Sequence, residues 1–146
     1  MKTILWIITK IRYRCSYVGF HARISKTKVG HKFRIFRDAR VMNCQIGYNT
    51  HVGVEASVRN AVIGSNVGIA ERAIVGVYNR RNKTTFICDN VMIGAGAIVM
   101  EGVTIGENAW VGAGTVVRRN VRKNQVVGGN PMQVIRTRDE SNKIMG

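Results

Sequence analysis

Among the side chains able to do chemistry, the three histidines, His21, His31 and His51, come first, because an imidazole is the usual proton acceptor near neutral pH. His51 lies just before Val52 in a slot expected to point outward, which makes it the best placed candidate for a general base. Glu55, Glu71 and Asp89 are carboxylates that could do the same work. Cys15, Cys44 and Cys88 form no CxxC pair, and three thiols cannot all pair within one chain, so they are read as reduced thiols of a cytoplasmic protein.

Lys and Arg number 23 against 8 acidic residues, a formal charge of +15, so an anionic partner is favoured. The cations cluster at Lys10 to Arg40, Arg80 to Lys83 and Arg118 to Arg138. No helix-turn-helix pattern, zinc-finger spacing, aromatic-basic RNA motif or GxxxxGK loop accompanies them, and nucleic acid is not the expected partner. The glycine triplets at Gly94–Gly96 and Gly112–Gly114 lack the third glycine of a dinucleotide fingerprint.

What must position these groups is a repeat. From Ile87 aliphatic residues return every sixth position: Ile87, Ile93, Val99, Ile105, Val111, Val117. The same beat runs earlier through Val29, Ile35, Val41, then Ile46, Val52, Val58, then Ile63, Ile69, Val75, with one residue missing at each junction. On a helical wheel each sixth residue turns about 120° from the last, so a helix would scatter them. Three short strands per coil, stacked coil on coil, bury them all: the predicted class is an all-β parallel β-helix of hexapeptide repeats. Gly and Asn recur at the openings, as in Ile46-Gly47-Tyr48-Asn49 and Ile105-Gly106-Glu107-Asn108, Gly because a tight corner needs a backbone without a Cβ clash and Asn because it tolerates left-handed backbone.

The chain reads as a single domain, 1–146. Residues 1–23 form an N-terminal cap, 24–130 the β-helix with an inserted loop at 76–86, and 131–146, from Pro131 on, a C-terminal cap or tail, with any helices few and terminal. The apolar run Ile4 to Ile8 is too short to span a bilayer and has no cleavage site. Flanked by Lys2, Lys10, Arg12 and Arg14, residues 1–14 are read either as a hydrophobic cap or as a weak peripheral membrane contact.

The run MIGAGAIVMEGVTIGENAWVGAGTVV, followed by VVGGNPMQVIR, resembles the left-handed β-helix acyltransferases of the hexapeptide-repeat superfamily, which include maltose, galactoside, serine and polysaccharide acetyltransferases. The resemblance implies a homotrimer, an acetyl-CoA donor bound in a cleft between subunits, and no metal. It also implies a pantetheine arm lying beside Gly94, Ala95, Gly112 and Ala113, with Arg118, Arg119 and Arg136 at the polyanionic end of CoA. Arg118-Arg119-Asn120-Val121 stands where many relatives have Thr-Lys-Asp-Val.

One departure bears on mechanism. The loop histidine that serves such enzymes as general base is replaced by Val77-Tyr78-Asn79-Arg80. Asn79 and Arg80 are then expected to orient the acceptor, with His51 as the remaining base. An amine needs such a base less than a hydroxyl does, which tilts the expectation toward N-acylation. The expected acceptor is a sugar or nucleotide sugar, in cell-surface polysaccharide synthesis. The alternative is a catalytically silent trimeric scaffold or CoA-binding protein. The histidines do not supply the metal set of a carbonic anhydrase of this fold.

Overall fold

The computed structural model describes residues 15–77 and 81–138. The chain winds as a left-handed parallel β-helix of about six coils, with three flat sheets as its faces. The first face stacks Cys15–Val18, Phe33–Ile35, His51–Val52, Gly68–Ile69, Met92–Ile93, Trp110–Val111 and Gln125–Gly128. The second stacks Arg23–Ser25, Arg40–Met42, Ser57–Arg59, Ile74–Val77, Ile98–Met100 and Val116–Val117; the third stacks Lys28–Val29, Gln45–Ile46, Ala61–Ile63, Thr85–Ile87 and Thr104–Ile105. Coils are numbered by their strand on the first face.

The six-residue beat becomes three internal columns. Ile35 pairs with Val52, Val52 with Ile69, Ile69 with Ile93 and Ile93 with Val111, each in parallel register. All five side chains are fully buried. Val41, Val58, Val75, Val99 and Val117 form the second column, and Ile46, Ile63, Ile87 and Ile105 belong to the third. Each such residue withdraws its aliphatic surface from water, worth roughly 1.5–3 kcal/mol, and the backbone of each coil bonds to the next. Cys44 is part of this core; burial pushes its thiol up to about 11, and its Sγ donates to the Met42 carbonyl. That suits packing rather than nucleophilic work.

Corners follow the expected chemistry in part. Asn49, Asn66, Asn90, Asn108 and Asn124 all take positive φ at the corner from the third face to the first, and Asn49 donates to the Asn66 side chain at 2.9 Å. At the corner from first to second face, the left-handed residues of coils 2 to 4 are Asp38, Glu55 and Arg72, types the repeat did not point to. Arg72 pairs with Glu55 of the coil below at 3.0 Å.

The structure moves three expected boundaries. The solenoid starts before residue 24, since Cys15–Val18 already pairs with Phe33–Ile35 and Arg23–Ser25 with Arg40–Met42. Val18, Ile24 and Val29 keep the six-then-five spacing of Ile35, Val41 and Ile46 on which they stack, so the beat reaches back into this coil, and only the register shift between Cys15 and Tyr17 departs from it. The inserted loop is narrower than 76–86: Gly76 and Val77 lie in a strand whose Val77 pairs with Met100, and Thr85 and Phe86 pair with Ala61 and Val62. The segment after Pro131 forms a strand rather than a helix, Gln133–Thr137, running antiparallel to Gln125–Gly128 and closing the last coil as a hairpin. Residues 1–14 and 139–146 lie outside the described residues.

Gly76 sets the exit into the loop. It is buried with φ of +78°, and a Cβ there would collide with the Arg59 carbonyl oxygen of the coil below. Gly76→Ala is expected to lose about 2–4 kcal/mol of stability, read as a lowered denaturant midpoint with an unchanged slope.

Candidate functional site

The corner between the first and second faces changes character along the axis. Coils 1 to 4 place Phe20-His21, Arg37-Asp38, Val54-Glu55 and Glu71-Arg72 there, whereas coils 5 and 6 place Ala95-Gly96 and Ala113-Gly114. Ladder bonds align the last three: the Gly96 N–H donates to the Glu71 carbonyl and the Gly114 N–H to the Ala95 carbonyl, both at 2.9 Å. Ala95, Gly96, Ala113 and Gly114 are all exposed. Nothing lies within 4 Å of where a Cβ on Gly96 or Gly114 would stand, so the upper corner is open backbone. Gly94 serves the stacking instead, because a Cβ there would come 2.5 Å from the Ala113 nitrogen; Gly112 is less tightly placed, 3.3 Å from the Val127 carbonyl oxygen. An extended, largely apolar ligand could lie against such a strip with its amides meeting the backbone.

At the upper end of the solenoid, Arg118 and Arg119 line a shallow pocket with Val116, Asn130, Pro131 and Met132. The hairpin supplies half of that pocket. Sequence reasoning missed Asn130 and Met132, because the return of the chain onto the strand Gln125–Gly128 has no six-residue signature. One guanidinium nitrogen of Arg119 donates to the Met132 carbonyl at 3.4 Å, which ties the hairpin down and leaves the other N–H groups for a ligand. Arg136 is exposed on the hairpin's outer strand, paired in register with Val126, and is not part of that pocket. Arg119→Ala is expected to raise the acetyl-CoA KM about ten- to a hundredfold while kcat changes little, since a charge-assisted contact to phosphate is worth about 1.5–3 kcal/mol. A fall confined to kcat would contradict a donor-binding role.

His51 stands on the outer surface of the first face in coil 3, between Arg34 below and Gly68 above. The absent side chain of Gly68 leaves room there, as a Cβ on it would sit 2.9 Å from His51 Cε1. Phe36 packs edge-on against the imidazole, ring centroids 6.4 Å apart at 89°. Half-burial and the Arg34 charge hold the His51 pKa below its ordinary 6.5, with the Glu71 carboxylate pulling the other way. The neutral ring is therefore the resting form near pH 7, able to accept a proton. Glu71 thus joins two features, the foot of the open corner and the field at His51.

Of the other expected groups, Asn79 and Arg80 lie outside the described residues. His21 is at the first corner of coil 1, bonded to Asp38 at 3.5 Å, and His31 is exposed at the next coil opening. His21 is two coils below His51, whereas His31 lies one coil below it, its carbonyl accepting from the Asn49 N–H at 2.8 Å. Among the described residues no three His, Cys, Asp or Glu side chains gather as a metal site.

The family model for GlmU-like, C-terminal hexapeptide repeats matches residues 15–95, more than half of the chain, and that for the bacterial transferase hexapeptide (six repeats) matches residues 84–119. The chain belongs to the hexapeptide-repeat acyltransferase superfamily. It is similar to 2,3,4,5-tetrahydropyridine-2,6-dicarboxylate N-acetyltransferase of Clostridium perfringens, 37% identical over 75 residues, 51% of this chain and 32% of that protein. Chloramphenicol acetyltransferase of Agrobacterium fabrum is 40% identical over 60 residues, 41% of this chain and 29% of that one. The chain spans about a third of the length of these curated relatives. Among solved structures, the N-acyltransferase AntD from Bacillus cereus, in complex with dTDP and 3-hydroxybutyryl-CoA, superposes with a TM-score of 0.77 at 20% identity, covering 92% of this chain and 88% of that one. The acetyltransferase domain of PglB from Neisseria gonorrhoeae, in complex with acetyl coenzyme A, gives 0.75 at 20% identity, covering 91% and 64%. These likenesses establish the fold.

Proposed function

We propose that the protein transfers an acetyl group from acetyl-CoA to an amino or hydroxyl group of a sugar or nucleotide sugar, as a homotrimer. The observation that carries this reading is the open corner of Ala95-Gly96 and Ala113-Gly114, which leads from Arg118 and Arg119 down toward Glu71 and the His51 face. The arginines would take the phosphates of CoA, and the bare corner would take the pantetheine arm. That places the thioester toward coils 3 and 4, where His51 and the base of the loop lie. The neighbouring structures bound to acyl-CoA and dTDP support the donor class and a nucleotide-sugar acceptor. A donor of this kind places the work in the cytoplasm, where thiols such as Cys44 stay reduced.

In the reaction the acceptor nitrogen or oxygen attacks the thioester carbonyl, a C–N or C–O bond forms, and the C–S bond breaks with CoA thiolate leaving. The acceptor's proton passes to His51 and then to the thiolate, so acid and base balance over the turnover. An amino sugar suits this site better than a hydroxyl, because its neutral amine attacks without prior deprotonation. Asn79 and Arg80 would orient the acceptor from the loop, and Arg136 would add to the CoA phosphate field. Surface-polysaccharide synthesis is the process such an acceptor points to.

The test is calorimetric titration with acetyl-CoA and CoA, with mass by light scattering on the same sample, followed by thiol release with nucleotide-linked amino sugars. Micromolar donor binding to a trimer with turnover on an amino sugar is expected. A folded trimer that binds neither CoA species would overturn the reading in favour of a silent scaffold.

A further inference from the structure

Positive charge is distributed along the axis in a way the donor site does not use. Residues 85–117 hold no Lys or Arg, only Asp89, Glu101 and Glu107. At the opposite end from Arg118 and Arg119, coils 1 and 2 carry exposed cations on every side. Arg34 is on the first face, Arg23 and Arg40 on the second and Lys28 on the third; Arg37, Lys26 and Lys32 occupy the three corners. Across residues 17–46 the one acid is Asp38, which pairs with Arg37 at 3.3 Å. Two large apolar side chains share this end: Phe20 is 60% exposed and Tyr17 46%.

The register shows what shape of partner this suits. Above Arg34 its row continues as His51, Gly68, Met92 and Trp110. Above Arg40 come Ser57, Ile74, Ile98 and Val116, and above Lys28 come Gln45, Val62, Phe86 and Thr104. The cations are therefore densest as a collar around one end, and no row of a face continues them past coil 3. Among the described residues beyond coil 2 the exposed cations thin to Arg59, Arg72, Arg81 and Lys83, and residues 85–117 carry none, so a nucleic-acid strand lying along the solenoid would cross that stretch without phosphate partners. A plane of negative charge pressed against the end would meet the collar together with Phe20 and Tyr17.

We infer that the coil 1 end of the solenoid docks on an anionic lipid bilayer, with the collar Arg23, Lys26, Lys28, Lys32, Arg34 and Arg40 facing the headgroups. Chain outside the described residues joins at this same end, at Cys15, and its composition agrees: Ile4, Leu5, Trp6, Ile7 and Ile8 with Lys10, Arg12 and Arg14. Among the described residues no helix is long and apolar enough to cross a membrane. The inference stands apart from the acyltransferase reading, since it uses none of the donor-site groups.

The test is co-sedimentation of the full chain with vesicles of phosphatidylcholine alone or mixed equally with phosphatidylglycerol. Binding is expected only to the anionic vesicles, weakening as added salt shortens the screening length. Combining Arg23→Glu, Lys26→Glu and Arg40→Glu should lower that binding on the order of a hundredfold, at about fivefold per cation before the added repulsion. Arg122→Glu with Lys123→Glu, at the other end, should leave it unchanged. Circular dichroism and light scattering check that each variant is folded; if the Glu set misfolds, the same three positions changed to Gln should still weaken binding at least tenfold. Equal binding to both vesicle types, full binding by the collar variant, or tighter binding to a long DNA duplex than to anionic vesicles would overturn the inference.

Discussion

His51→Asn is expected to lower kcat about a hundredfold or more while the KM for acetyl-CoA stays near its original value. Asparagine keeps a polar group beside Arg34 and Gly68 but cannot take a proton, so only the proton-transfer step is removed. The pH profile carries the more specific signature. Burial and Arg34 lower the folded pKa of His51 below 6.5, so the competent neutral ring is fully present above about that pH, and the rate falls as pH drops through the lowered value. Stability moves in the same direction. Between the lowered pKa and the unfolded value near 6.5 the unfolded chain holds more protons, so the contribution of neutral His51 is complete above that window and is lost as pH falls through it. Thermal melts at each pH separate the two effects. A variant with ordinary kcat and an unshifted acid limb would remove His51 from the chemistry and leave Glu71, on its flank, as the next group to replace.

Ala95→Trp is expected to raise the KM for acetyl-CoA on the order of seventyfold with little cost in stability. Ala95 is exposed and the corner beside it is empty, so the indole can be accommodated by the fold. It would cover the strip where the pantetheine lies. Displacing roughly 100 Å² of apolar contact at about 25 cal/mol/Å² costs about 2.5 kcal/mol, which corresponds to that factor. Calorimetry with CoA and a denaturant melt on the same variant measure both halves of this expectation. Retained CoA affinity in a folded Ala95→Trp protein would move the donor off the corner. The same change made at Arg37, on that corner but three coils below Ala95 and below the thioester end, should leave CoA affinity alone.

The columns of the core were legible because burial in this fold is written at a fixed interval: Ile87 to Val117 repeats without a slip, and all six side chains are in fact inside. The strand Cys15–Val18 carries the same signal more thinly, since Val18 alone marks its inward column, six residues before Ile24, while the bulge between Cys15 and Tyr17 blurs the rest. The hairpin strand Gln133–Thr137 was hidden outright. All five of its side chains are exposed, so no inward position marks it. At the site, the small residues of coils 5 and 6 and the basic pair Arg118-Arg119 could be seen through the family resemblance, but their relation to His51 could not. That relation depends on which residues stack, and Glu71 reaches the field of His51 only because coil 4 lies on coil 3. The left-handed Glu55 and Arg72 were equally hidden, since nothing in their type favours that backbone, whereas Asp38 is of a type that tolerates it.

The parallel register that aligns Ile35, Val52, Ile69, Ile93 and Val111 also makes the molecule a ruler with fixed graduations. Removing a residue within a strand would turn inward positions outward, while the single residues missing between Val41 and Ile46 and between Val58 and Ile63 are taken up at corners, so the height of the column changes only by whole coils, each a step of about 4.8 Å along the axis. The separation between the arginine pocket at coil 6 and the imidazole at coil 3 is therefore three graduations, about 14 Å, and cannot drift by small insertions within the strands. Changes in the length of what is held between them would have to be absorbed at the corners, where the loop after Val77 already shows that the winding admits extra chain without losing its count.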